Sequence, residues 1–409
     1  MPSIQPAGSP ASLISTPTHS GSVRPRLDSV DLLRGLVMVI MALDHTRDFF
    51  SRDLSFDPTN LNRTYPALFL TRWITHYCAP VFMFLAGTGA FLSTTRGKTQ
   101  KGLSWFLLTR GIWLVVLELS WVRCFGWQFN FDYHFSVGAV IWALGWSMIA
   151  LAGLVFLPLP IVTAFGVVMI VTHNFFDSIP PERWGSWGWL WQILHTGGPI
   201  DLGDGVRFIA AYPLIPWIGV MAAGYGFGAL LLRESAERRR WLFLLGAGLT
   251  LLFVLLRGTN LYGDPAPWTS QKDALFTFFS ILNCHKYPPS LSYLLMTLGP
   301  ALMVLSLLDR GTPRWLQPIL VFGRVPLFYY VLHLPLIHAL SVIVAYLRHG
   351  RADWLFGNSG VSSGAPSDFG FGLPIVYLVW FGVVLSLYPV CHWFAEVKRR
   401  RRDWWLSYL

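Results

Sequence analysis

Charge is what this sequence has least of. Asp, Glu, Lys and Arg make up 13% of its 409 residues, about half of what soluble globular chains carry. That is too little to clothe a soluble protein of this size in a polar skin. Long apolar runs and a mean hydropathy of +0.49 exclude a soluble enzyme and point to a polytopic membrane protein. Cysteine is scarce too. Cys78, Cys124, Cys284 and Cys391 show no CxxC spacing, which removes zinc knuckles and redox pairs. Solitary buried thiols are expected, in preference to a Cys124–Cys284 disulfide. His-x-x-x-His and other tight ligand spacings are absent, so no metal is expected. There is no visible internal repeat of the kind that builds inverted-repeat transporters.

The first 26 residues have almost no apolar content and are rich in Ser, Pro and Thr. With neither a basic start nor a short apolar core, they read as a disordered cytoplasmic tail and not as a signal peptide. Residues 27–397 form the membrane domain, and 398–409 (KRRRRDWWLSYL) a basic cytoplasmic tail suited to anionic lipid. The net charge of +10 comes with no nucleic-acid-binding motif, so nucleic acid is not an expected partner.

What fills the chain is apolar sequence in lengths that cross a bilayer, about 20 residues each. Ten spans are expected, at 32–50, 77–94, 103–122, 136–156, 160–176, 210–232, 241–257, 290–308, 319–347 and 373–394. The fold class is therefore all-α, a polytopic bundle of about ten transmembrane helices. The turn LPLP separates the fourth span from the fifth, and Pro326 and Pro335 give the long ninth span two places to bend. Of the 31 Lys and Arg residues, 18 fall in short segments on one side of this arrangement. That bias puts both termini inside, N-in and C-in.

The first span runs LVMVIMALDHTRDFF and ends in Asp44, His45, Arg47 and Asp48. On a helix Asp44, Arg47 and Asp48 are neighbours, so an ion-pair cluster is available. Asp44 and His45 follow Arg34 by less than a bilayer's depth, and ionisable groups at depth ordinarily face a cavity. RWITHYCAP returns Arg72 and His76 to the same level, and NCHKYPPS brings Asn283, His285, Lys286 and Tyr287. Two imidazoles beside a carboxylate suit a general base, with Asp44 as its orienting group. His333 and His338 of the ninth span line a cavity or bond a neighbouring backbone. Arg34 and Arg324, each beside a glycine at the cytoplasmic mouth of a span, are either topology signals or receptors for the phosphates of a nucleotide-bearing donor.

RLDSVDLLRGLVMVIMALDH followed by THYCAPVFMFLAGTGAFLS resembles the bacterial relatives of heparan-α-glucosaminide N-acetyltransferase, in the wider transmembrane acyltransferase superfamily. The match rests on D-x-x-R-G at Asp31, Arg34 and Gly35, on P-x-F-x-F-x-x-G from Pro80 to Gly87, and on FGRVPLFYYVLHLP, similar to a late G-R-x-x-L-x-x-Y helix. The resemblance implies residence in the cytoplasmic (inner) membrane. It also implies transfer of an acyl group, usually acetyl, from cytoplasmic acyl-CoA to an extracytoplasmic sugar, glycan or other acceptor. Catalytic residues would then be His45, His76 and Asp44. Arg47, Asp48, Arg72, Asn283, His285, Lys286 and Tyr287 would bind the acceptor, and Arg34 and Arg324 the donor. Residues 51–75 hold no histidine where the sugar acetyltransferase has one in the loop after its first helix, and His76 stands where that enzyme has an aspartate. Either His45 or His76 takes the role. The bilayer, acyl-CoA and a carbohydrate are the expected partners, and a second copy of the chain is admitted. A transporter or flippase for an acidic amphiphile is the alternative reading of the same polar rim.

Overall fold

The computed structural model describes residues 27–357, 364–401 and 403–409; the tail expected at 1–26 lies outside them. Fourteen α-helices follow in order. They are α1 (Asp28–Phe50), α2 (Pro66–Thr75), α3 (Cys78–Thr94), α4 (Gln100–Leu117), α5 (Val140–Leu154), α6 (Leu159–Thr172) and α7 (Gly188–Trp191). Then come α8 (Leu214–Phe227), α9 (Ser235–Thr259), α10 (Ala274–Leu282), α11 (Leu291–Leu308), α12 (Gln317–Arg324), α13 (Pro326–His349) and α14 (Leu373–Arg400). Among the described residues eight helical segments are long and apolar enough to cross a membrane. The charged α1 and the 15-residue α5 occupy the other two of the ten positions expected from hydropathy, and neither is both long and apolar enough to be counted with the eight.

Connections alternate between two faces, and hydrogen bonds join segments of the same face. On the face bearing the described C-terminus, Ser29 donates to Asp309, Arg110 to the Ser407 carbonyl and Gln100 to the Val155 carbonyl. On the opposite face, the rim, Asn283 donates to the Thr59 carbonyl, Asn130 to that of Phe356, and Leu291 N–H to Asn174. A small sheet, absent from the sequence reading, also lies there. Its strands are β1 (Phe135–Gly138), β2 (Gly198–Asp201) and β3 (Arg207–Ala210), in the order β1-β3-β2. β1 runs parallel to β3 and β2 antiparallel.

α1 is the hub, packed against α3, α11, α12, α13 and α14, and most of its residues are buried. Close approach is set by glycine. A Cβ on Gly35 would stand 2.1 Å from the Ile319 carbonyl oxygen, and one on Gly323 would stand 1.7 Å from that of Asp31. Gly87 and Gly224 make the same bare-backbone contact between α3 and α8. Lipid gives helices no hydrophobic drive to associate, so backbone proximity of this kind is what holds them. The long ninth span breaks at Val325, whose φ of −131° and ψ of 50° leave the helical region. Pro326 starts α13 there, and Arg324 is left at the last turn of α12.

Candidate active site

Two cavities open on opposite faces of the bundle. The rim cavity holds about 630 Å³ and is lined by Asp44, His45, Arg47, Asp48, Arg72, Lys286 and Tyr287 among others. Its walls are Trp127, Gln128, Tyr330, Tyr212 and the apolar faces of β1 and β3 at Phe135, Val137 and Ile209. The second cavity, about 390 Å³, lies on the other face. Arg34, Arg96, Lys98, Arg110, Arg324 and Lys398 line it, with Asp31 as its acid.

The acids and guanidinium groups of the rim pair with one another. Arg47 donates to Asp44 at 3.0 Å and to Asp48 at 2.5 Å, and Arg72 closes on the other Asp44 oxygen at 2.5 Å. Removing one member of so enclosed a network leaves its partner charged and unpaired, the costly outcome for buried ions. Asp44 is therefore fully engaged by arginine and does not orient His45, a correction to the role read for it above.

His333 orients His45. Its Nε2 lies 2.8 Å from His45 Nδ1, while its own Nδ1 lies 3.0 Å from the Tyr329 carbonyl oxygen. A carbonyl only accepts, so His333 Nδ1 carries the proton and Nε2 receives. His45 Nδ1 must then donate, which makes His45 Nε2 the lone-pair nitrogen of a neutral ring. The two imidazoles lie parallel with centroids 5.0 Å apart, and Trp127 and Tyr330 meet His45 edge-on at 5.3 and 6.1 Å. The ring can neither turn nor swap tautomer without breaking this chain.

Three other residues read as site members are placed elsewhere. His76 caps α2, is 3% exposed and lines neither cavity. Its ring packs on Tyr293, whose hydroxyl donates to the His76 carbonyl. Asn283 spends its side chain on the Thr59 carbonyl. His285 contacts the carbonyl of its own loop at Tyr287 and hangs by its backbone N–H from Asp264. Polar side chains in a tight loop satisfy nearby backbone first, and only Lys286 and Tyr287 of this stretch face the cavity. His338 has both ring nitrogens on carbonyls, at Gly126 and Leu355, and is an anchor between segments.

Tyr287 stands between Lys286 and Arg72 with its hydroxyl 3.5 Å from that of Tyr212. Desolvation raises its pKa, but the two cations outweigh it and hold the phenol below its usual range.

On the opposite face Arg34 donates to Asp31 at 2.9 Å and reaches toward the Gly323 carbonyl at 3.4 Å; Arg324 pairs with Asp28 at 3.3 Å. The paired glycines thus seat Arg34 and Arg324 at one cavity. Sequence reasoning missed Arg110, whose guanidinium reaches this cavity from within α4. All four cysteines are buried and free.

The cavities share no lining residue. They end close together on the same helices, at Val140 and Leu144 of α5 and at Tyr330 and Leu327 of α13. A small void of about 30 Å³ continues from the rim to Met41, Cys78 and Ala79, and Phe82 of α3 faces the basic side. On these helices the residues lining the two cavities stand about one turn apart, roughly 5 Å along the axis.

Fold and site together define a multi-pass membrane protein with a polar, histidine-bearing cavity on one face and a cationic one on the other. Residues 26–260 match the model of the heparan-alpha-glucosaminide N-acetyltransferase catalytic family. The match spans more than half of the chain, and the protein belongs to that family. It ends before Lys286, Tyr287, Arg324 and His333. No curated protein matches the chain.

Proposed function

We propose that this protein transfers an acyl group, acetyl in the simplest case, from acyl-CoA in the basic cavity to a hydroxyl or amine in the rim cavity. His45 is the base. Its Nε2 takes the proton of the acceptor as the acceptor's oxygen or nitrogen attacks the thioester carbonyl. The oxyanion forms near Arg72 and Lys286, the C–S bond breaks, and the departing thiolate recovers the proton from His45. Six cations around the basic cavity suit the phosphates of a CoA nucleotide, for which guanidinium forks are the best receptors. Trp127 and Tyr330, beside a set of charged hydrogen-bonding groups, suit the faces and hydroxyls of a sugar.

The observation that carries this reading is the Tyr329–His333–His45 chain, which assigns a free lone pair to one nitrogen of a ring lining a polar cavity. The thioester reaches that nitrogen when its pantetheine arm parts the thin partition. The closed partition also favours a second reading, a carrier that opens to one face at a time.

One experiment separates them. Detergent-purified protein is given radiolabelled acetyl-CoA, with and without hexosamine. Labelled hexosamine or free acetate, lost in His45→Ala, supports the enzyme. Tight acetyl-CoA binding with equal slow turnover in parent and His45→Ala excludes this base. If the protein binds no acyl-CoA, the carrier takes precedence.

A further inference from the structure

A second histidine cluster lies on the rim face, away from both cavities. His173 follows α6 at the end of its span. Asp177 comes one turn later, and His195 sits in a π-wound turn at Gln192–Thr196, an irregularity that recurs at functional sites. The three offer ligand atoms that all lie within 4.8 Å of one another. His173 and His195 are 1% and 0% exposed. His195 Nε2 lies 3.2 Å from Asp177 Oδ1 and the Pro289 carbonyl approaches the His173 ring, which leaves the other nitrogen of each ring buried without a partner. Buried imidazoles left so unsatisfied are expensive.

The other Asp177 oxygen is already held. Asn174 donates to it at 2.8 Å, and the same carboxamide accepts from the Leu291 N–H at 2.9 Å. The carboxylate therefore presents one free oxygen toward the two histidines, as a ligand braced by an outer partner does. Trp191 and Phe176 pack around His195, with centroids at 5.0 and 6.3 Å.

We propose that His173, Asp177 and His195 bind one divalent cation of the zinc class. Two imidazoles and a carboxylate are borderline donors suited to that ion. With bonds of about 2.0–2.1 Å, tetrahedral ligands stand roughly 3.3 Å apart, which the His195–Asp177 pair already matches at 3.2 Å. The Pro289 carbonyl approaches His173 and, with water, is available to complete the shell. None of the three residues lines either cavity, so the ion is structural. It clamps the segment after α6 to the turn at Gln192–Thr196, and Asn174 of that segment in turn accepts from Leu291 N–H at the start of α11, beside the loop that carries Lys286 and Tyr287 into the rim. This site is independent of the acyl-transfer reading.

The test uses the tag-free full chain in detergent, expressed with zinc in the medium. Plasma mass spectrometry should find about one zinc per chain. Cobalt(II) in exchange should give visible d–d absorption of a four- or five-coordinate ion. His195→Ala should lose at least about tenfold in bound metal, and Asn174→Ala, which removes the brace on Asp177 together with the acceptor of Leu291 N–H, should weaken affinity by about 10–100-fold. Parent protein with no zinc and no cobalt spectrum on titration overturns the proposal whatever the variants do. So does zinc retained in full by correctly folded His195→Ala, and either result leaves the polar contact between His195 and Asp177 as the whole of the cluster.

Discussion

His45 and His333 form a pair in which the second ring decides what the first can do. Replacing His333 by Phe keeps an aromatic ring of similar volume and removes the acceptor that holds the His45 Nδ1 proton. His45 then loses its tautomer bias, and acyl transfer should fall by about 10²–10⁴-fold, the usual worth of a positioned base. His333→Gln keeps an acceptor and should recover part of that loss. Acyl-CoA affinity, measured by calorimetry, should stay unchanged in both, because neither residue lines the basic cavity. A matching loss of CoA binding would mean that the bundle has collapsed and that the tautomer argument is not being read. Tyr287 gives a test in pH. Lys286 and Arg72 hold its phenol below the usual value near 10 despite desolvation. As pH rises through that lowered pKa the O–H is lost and a negative charge enters the cavity beside Asp44. Acceptor KM should therefore climb on the alkaline side before pH 10, and Tyr287→Phe should flatten that limb while leaving kcat at neutral pH within about threefold, since no proton transfer is assigned to this hydroxyl.

Among the elements, α1, α5 and α13 line both cavities, and α3 lines the basic one and the small void between them. Val140 faces the rim and Leu144, one turn on, the basic side. Val140→Trp puts an indole where the partition must yield to a pantetheine arm. Transfer should drop at least about tenfold with CoA binding intact, and overpacking should cost about 1–3 kcal/mol of stability, visible as a lower midpoint in a thermal melt. Unaltered transfer would place the route elsewhere. Hydropathy, with Pro at the turns, made the bundle legible, and eight of the expected spans meet the length and apolarity of a crossing among the described residues, because membrane depth imposes both on each segment separately. It also located the rim cluster at Asp44–Asp48, since charges at depth have few other reasons to exist. Whether a side chain turns into the cavity or back onto its own loop was not legible. Asn283 and Lys286 stand three residues apart in one stretch, yet one secures the Thr59 carbonyl and the other enters the site. The His45–His333 hydrogen bond joins residues 288 apart in sequence, and the His173–Asp177–His195 cluster escapes any search for histidines one turn apart.

For the molecule as a whole, five of the 18 basic residues that set topology by count also line the cavity on the face of the described C-terminus. Arg34, Arg96, Lys98, Arg324 and Lys398 belong to short flanking segments, and all five meet there. Under the proposed acyl transfer, orientation and donor binding become one property: a chain inserted with this face inward offers its cationic cavity to the compartment that holds acyl-CoA. Ser55 is exposed on the rim face and Ser235 on the other, and the four native thiols are buried. Single cysteines at these positions, Ser55→Cys and Ser235→Cys, can be probed in intact cells with a membrane-impermeant maleimide. Ser55→Cys should label before lysis and Ser235→Cys only after it. The reverse pattern would turn the basic cavity away from any acyl-CoA pool. The six cations would then need another anionic ligand, and the carrier reading would inherit the two-cavity geometry.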